Sequence, residues 1–253
     1  MKICLSLFWE SLIWLLCLIY YPAFGQQTGT FRSLQLQVGS ESIYLKDYFH
    51  APFTYKGIQS GLLLRYENTS QNHIWFVESS YMRGSIQSSI SVKAHIQQIG
   101  CDFSYLHQVV KSLRNRERFR LYVGATLSNY GFLANYNPDL EYSGTQATLS
   151  LAMALSVRVS YQLKSAHQLV FVAQSPFVAW LYRPDYAFNG NYYTEMVWPG
   201  TNITMHIALT YNYNWKKNWQ LTAMYQYNYS EYMNPQALFL LRQGIFAGVK
   251  KLF

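Results

Sequence analysis

The chain alternates. From Trp219 to Tyr229, Trp219, Leu221, Ala223, Tyr225, Tyr227 and Tyr229 fall on one face, and Gln220, Thr222, Met224, Gln226 and Asn228 on the other. Ile203 to Trp215 repeats the pattern, with Thr204, His206, Thr210, Asn212 and Asn214 opposite the apolar set. So do the runs at 147–163 and 118–128. Successive strand side chains point to opposite faces, so a period of two predicts strands lying between two different solvents. Ten strands follow, at 31–39, 57–67, 72–83, 91–108, 118–130, 145–163, 168–181, 202–215, 219–230 and 238–253. Boundary shifts allow eight or twelve. The apolar phase changes near Gln97-Gln98, which predicts a bulge. The run at 168–181 is apolar on both faces, which leaves its register open.

Many of these runs exceed the roughly 9–11 residues a tilted strand needs to cross a bilayer. Their polar face carries Ser, Thr, Asn, Gln and Ala rather than Lys and Glu. Small neutral groups suit a narrow shared lumen, whereas a soluble sandwich would turn charges to water. The expected fold is therefore all-β: a transmembrane, antiparallel, up-and-down β-barrel.

Composition strengthens this reading. Aromatic residues make up 18% of the chain and charged residues only 13%, about half the share in soluble domains. Tyr and Trp suit membrane interfaces. The formal charge of +8 comes without a basic stripe or nucleic-acid motif, so anionic lipid headgroups are the expected counter-charge and nucleic acid is not a partner.

Residues 1–25 read as a secretory signal peptide: Lys2, an apolar run over Leu5–Tyr21, then Ala23-Phe24-Gly25 before a cut. The barrel domain is then 26–253. Cys4 and Cys17 leave with the signal, so Cys101 is the one mature cysteine and no disulfide or metal spacing exists. No cofactor and no metal are expected.

The connectors alternate between short and long. Those at 68–71, 109–117, 165–167 and 216–218 are mostly shorter; those at 40–56, 84–90, 131–144, 182–201 and 231–237 are mostly longer. Barrels of the bacterial outer membrane place short turns in the periplasm and long loops outside. That rule puts both termini in the periplasm. Charge follows the division: Glu41, Asp47, Asp139, Glu141, Asp185, Glu195 and Glu231 fall in the outer loops, and Lys111, Arg114, Arg116, Lys164, Lys216, Lys217, Lys250 and Lys251 at the periplasmic end.

The last strand ends Gly248-Val249-Lys250-Lys251-Leu252-Phe253. Gly248 and the terminal Phe253 resemble the C-terminal signal of Gram-negative outer-membrane barrels. The resemblance implies the outer membrane, its lipid and its barrel assembly machinery as surroundings. Lys251 departs from that signal, which usually carries an apolar or aromatic residue there.

Candidate chemistry is sparse. Arg65, Glu67, Asp102, Arg120, Arg158 and His206 are expected in the lumen, as a salt-bridged plug or as groups tuning solute passage. The loop at 182–201 offers Tyr182, Tyr186, Tyr192, Tyr193 and Trp198, either as a binding surface or as a small local core over the mouth. Ser104 and His107 lie close in sequence but on opposite faces. Proteases of the omptin type are ten-stranded barrels with carboxylates and a His at the outer rim. Here His50, Asp47, Asp139, Glu141, Asp185, Glu195 and His206 are the comparable residue types, with no motif that carries a catalytic assignment. The sequence points to a non-enzymatic outer-membrane barrel, either a narrow porin-like channel or a surface-binding scaffold with an outer-membrane protein partner. The alternative is a surface-facing hydrolase, omptin-like or lipid-modifying.

Overall fold

A computed structural model describes residues 30–47, 54–111, 118–136, 145–184, 192–198, 202–232 and 237–253. The expected signal peptide at 1–25 lies outside them. All ten predicted strands form: β1 (Phe31–Asp47), β2 (Thr54–Thr69), β3 (His73–Ser88), β4 (Lys93–Lys111), β5 (Phe119–Tyr136), β6 (Thr145–Lys164), β7 (His167–Pro184), β9 (Asn202–Lys216), β10 (Trp219–Tyr232) and β11 (Leu238–Leu252). A short extra strand, β8 (Tyr192–Val197), pairs with the far end of β7. Each long strand pairs antiparallel with its neighbours; β1 pairs with β11, and the β6–β7 pairing completes a closed ten-strand barrel. The end carrying both chain termini is the terminal end; the opposite end is the loop end.

The outer wall is apolar and the interior polar. Leu36, Val38, Leu62, Leu127, Leu155, Leu209, Leu221 and Ile245 are exposed, while Gln35, Gln37, Gln59, Ser104, Thr126, Ser156, Asn212 and Thr222 are buried. That inversion is the mark of a barrel whose outer solvent is hydrocarbon. The neutral inward groups bond one another: Ser104 to Thr126 at 2.7 Å, Thr126 to Ser156 at 2.6 Å, and Gln37 Nε2 to Thr222 Oγ1 at 3.1 Å. Each such bond satisfies a group that would otherwise be buried unpaired.

The ten barrel strands run 14 to 20 residues, well past what a bilayer requires. The excess lies at the loop end, and there the polarity reverses. Ile43, Leu45, Tyr55, Ile86, Ile96, Phe132, Leu181, Tyr232 and Leu240 form a buried cluster inside the barrel. Outside it, Ser42, Lys56, Ser85, Lys93 and His95 are exposed. Beyond the lipid the wall meets water and the interior becomes an ordinary hydrophobic core.

This reversal corrects several expectations. The segments 40–56, 84–90 and 131–144 are not loops throughout, because β1, β2, β3 and β5 extend into them. Glu41 is not a loop residue; it is buried inside β1. Asp47 ends β1, Glu195 sits in β8 and Glu231 in β10. No bulge occurs at Gln97-Gln98, which pair in continuous register with both β3 and β5. Inward Ala94 and Ile96 join the loop-end core, and outward Ile99 and Phe103 face lipid, so the apolar phase shifts while the strand does not. The irregularity of β4 lies between Gln108 and Val110. In β7 the open register is resolved by a bulge that skips Phe177, opposite Met153/Ala154.

Candidate functional site

The lumen holds the chain's concentrated chemistry, and cross-barrel contacts fill it. From the terminal end inward, the first layer is a polar vestibule of about 400 Å³, lined by Arg118, Arg120, Arg158, Lys250, Gln162 and Gln220 among others. Its floor is an ionic strap. Arg158 on β6 donates from Nη1 to Glu67 Oε2 at 2.8 Å and from Nη2 to Oε1 at 3.1 Å. Lys250 on β11 donates from Nζ to Glu67 Oε1 at 3.4 Å. These three residues are buried, and they tie together strands that are not neighbours.

Next to the strap, Arg65 Nε donates to Glu78 Oε2 at 2.6 Å, and its guanidinium lies 4.7 Å from the Phe76 ring centroid. A mid-barrel apolar group follows: Leu63, Met82, Val170, Val172, Ala208, Met224 and Phe246. Two small cavities, about 80 and 120 Å³, share Asp102, Tyr130, His206, Asn228 and Arg242 in their walls. Arg242 Nη1 donates to Gln98 Oε1 at 2.7 Å and stacks 4.8 Å from the Tyr130 ring. His206 Nδ1 is hydrogen-bonded to Asn228 Oδ1. Glu41 accepts from Gln59 Nε2 at 2.5 Å and from Gln226 Nε2. The loop-end core closes the sequence of layers.

All six lumen residues expected from sequence point inward, and two of them, Glu67 and Arg158, meet directly. Arg65 pairs with Glu78 instead, and Arg120 lines the vestibule while Asp102 and His206 wall the cavities. Four interior ionic residues were missed. Glu78 and Arg242 occupy inward positions in their strands, but they share that face with the buried Phe76 and Phe246, and alternation alone reads an aromatic face as lipid-facing. Glu41 was hidden by the loop assignment, and Lys250 by its neighbour: Lys250-Lys251 puts one lysine on each face. Lys250 is thus not a surface charge at the terminal end but part of the buried strap.

The other candidates separate. Ser104 is buried and His107 is exposed, so they lie on opposite faces as expected. His73 stacks on Tyr105 with centroids 5.8 Å apart, and His167 Nδ1 lies 2.6 Å from the Tyr211 hydroxyl. These two belong to the outer wall's aromatic fringe near the terminal end. Of the proposed rim set, His50, Asp139, Glu141 and Asp185 lie outside the described residues, as does Tyr186. Tyr182 belongs to β7 and Tyr192 and Tyr193 to β8, so the 182–201 segment is part strand, and Trp198 is exposed.

At the C-terminus, a Cβ on Gly248 would lie 1.9 Å from the Leu36 carbonyl oxygen, so only glycine fits against β1 there. Phe253 is exposed and its N–H donates to Arg32 O at 2.9 Å. Lys251 lies over both the Trp219 and Phe253 rings, at 5.6 and 5.1 Å. An aromatic cradle of this kind lets an outward lysine lie along the interface.

No family model matches the chain, and no curated protein matches it in sequence. Solved structures do resemble it. The outer membrane protease OmpT from Escherichia coli superposes with a TM-score of 0.52 at 10% identity, covering 92% of this chain and 99% of that one. The translocator domain of the autotransporter NalP from Neisseria meningitidis gives 0.46 at 10% identity, covering 89% of each chain. The outer membrane protein OprG from Pseudomonas aeruginosa gives 0.41 at 10% identity, covering 90% and 98%. At such identity the likeness speaks for architecture alone: the chain has the fold of a Gram-negative outer-membrane β-barrel.

Proposed function

We propose that this protein is a non-enzymatic, non-conducting barrel of the outer membrane, with its termini in the periplasm and its loop end presented outside as a binding or partner surface. The observation that carries the reading is the filled lumen. The Glu67–Arg158–Lys250 strap, the group around Phe246 and the loop-end core lie one above another. Between them remain two cavities of about 80 and 120 Å³, each room for a few waters. A ten-strand bore is narrow enough for side chains to occupy it. Of the two non-enzymatic roles, narrow porin and scaffold, a filled bore favours the scaffold.

At the loop end, Trp180 and Met196 are register partners on β7 and β8, and both are exposed, as is nearby Trp198. Exposed aromatics of this kind suit contact with another outer-membrane protein or with a surface ligand. Folding into the membrane through the barrel assembly machinery, read from the Gly248–Phe253 strand, belongs to the same proposal.

The hydrolase alternative is less well supported. His206, the one described histidine of the proposed rim set, sits between the apolar layers and bonds an amide rather than a carboxylate. Planar-bilayer recording of the refolded barrel tests the main reading, with heat-modifiable gel migration as the check on folding. Folded protein should give no stable unitary conductance; well-resolved steps would overturn it. Turnover of peptide or lipid A that is lost in His50→Ala or His206→Ala would favour the hydrolase instead.

A further inference from the structure

The outward positions of β2, β3 and β4 carry a basic cluster near the loop end of the wall. Lys56 is the register partner of Gln87, and Gln87 of Lys93, so these three form one row across three strands. Neighbouring strands are about 4.8 Å apart, which sets Lys56 and Lys93 roughly 10 Å apart along that row. His95 lies beside Ser85, and Arg83 beside Ser60 and Gln97, in the rows just below. Lys56, Arg83, Lys93 and His95 are all exposed. Lys56 also lies over the Tyr44 ring at 5.6 Å. No Asp or Glu occupies an outward position among the described residues of these three strands.

The height of this cluster matters. On β2 the outward series from the terminal end is Tyr66, Leu64, Leu62, Ser60, Ile58, Lys56. Ten residues of strand tilted near 40° rise roughly 25 Å, the height of the apolar band of an outer-membrane barrel. Tyr66 therefore marks one interface and Lys56 the other. On β4 the series runs from Tyr105 through Phe103 and Ile99 to His95 and Lys93. Lys56, Lys93 and His95 stand at the loop-end margin of the apolar band, where the interior turns from polar to apolar; Arg83 starts lower, level with Ser60, and its long side chain can reach up to that margin.

Anionic headgroups meet the wall at that level. We infer that Lys56, Arg83 and Lys93 form a binding site for a phosphorylated glycolipid of the outer leaflet, of the lipid A type. Its phosphates would sit on the three cations, its acyl chains along Leu62 and Ile99, and its sugar hydroxyls would be within reach of Ser85 and Gln87. The neutral polar residues between the cations distinguish this strip from a bare charge patch. The site rests on the orientation proposed above, with the loop end outside.

The experiment uses the refolded full barrel in zwitterionic detergent. Binding of bisphosphorylated lipid A, of its dephosphorylated form and of phosphatidylglycerol is measured by native mass spectrometry and by thermal unfolding. Two triple variants are compared: Lys56→Gln/Arg83→Gln/Lys93→Gln, and a terminal-end control, Lys216→Gln/Lys217→Gln/Lys251→Gln. The first should weaken lipid A binding about 100-fold, at about fivefold per lost charge, and the control by less than about threefold on the same scale. Equal binding of phosphatidylglycerol and lipid A by the unaltered protein would overturn the site as unspecific attraction. Equal loss in both triple variants, or loss in the control alone, would also overturn it. Heat-modifiable migration of each variant reports whether the barrel still forms, and conductance reports the lumen reading, so either failure is seen apart from failure of the lipid site.

Discussion

Glu67 accepts from two cations that belong to different strands, and at residue scale the terminal half of the lumen depends on it. Removing one member of a buried ionic group leaves the others unpaired, which typically costs about 3–5 kcal/mol. Glu67→Gln keeps the shape and removes the charge. It should destabilise the refolded barrel by roughly that amount in urea titration followed by tryptophan fluorescence, by the same reasoning. Lys250→Met in the Glu67→Gln background should recover part of the loss, since one of the two stranded cations is then gone. A loss under about 1 kcal/mol would mean that vestibule water screens the group as at a surface. The sequence made Glu67 and Arg158 legible as lumenal, because each falls on the polar side of a clear alternation. It could not pair them. Their separation of 91 positions is bridged only across the bore, and strand order and shear decide which inward residues meet there. Lys250 was illegible for a different reason: in a Lys-Lys pair, composition does not say which member faces in.

At element scale, β4 shows what a period-two reading can and cannot extract. The strand exists where alternation placed it, but its apolar residues change sides while its backbone keeps register. Alternation reports the polarity of two surroundings, and both change where the wall leaves the lipid. The same event made the loop ends of β1, β2, β3 and β5 read as loops, since Ser40-Glu41-Ser42 has no apolar member on either face. If the reversal is environmental, lysine scanning of the outward face of β4 should show it. Ile99→Lys, near the middle of the band, should cost about 2–4 kcal/mol of barrel stability, whereas His95→Lys should fall within about 0.5 kcal/mol of the unaltered protein. Equal costs at both positions, measured by urea unfolding in vesicles, would place the whole strand in one environment.

For the whole molecule, the strands and their connectors make the two ends of the barrel different, and the proposed orientation rests on that difference. At the terminal end, β2–β3, β6–β7 and β9–β10 are joined by turns of a few residues and β4–β5 by 112–118, while at the loop end the long strands are joined through 48–53, 89–92, 137–144, 185–201 and 233–237. The wall also protrudes from its apolar band at the loop end, with a hydrophobic core inside the protruding part. A protruding, plugged end suits the side from which a barrel is approached, and short turns suit the side from which its strands are delivered. Cysteine labelling in a Gram-negative host tests the assignment. In a Cys101→Ser background, Ser89→Cys in the β3–β4 connector and Ser165→Cys in the β6–β7 turn place one thiol at each end. A membrane-impermeant maleimide added to intact cells should modify the Ser89→Cys protein and leave the Ser165→Cys protein unmodified until the outer membrane is opened. The reverse pattern would invert the barrel. It would put Lys56, Arg83 and Lys93 against the inner leaflet and remove the lipid A site, while leaving the packed lumen and the expectation of no conductance untouched. Orientation and plugging are therefore separable properties of this barrel, and only the lipid site depends on the first.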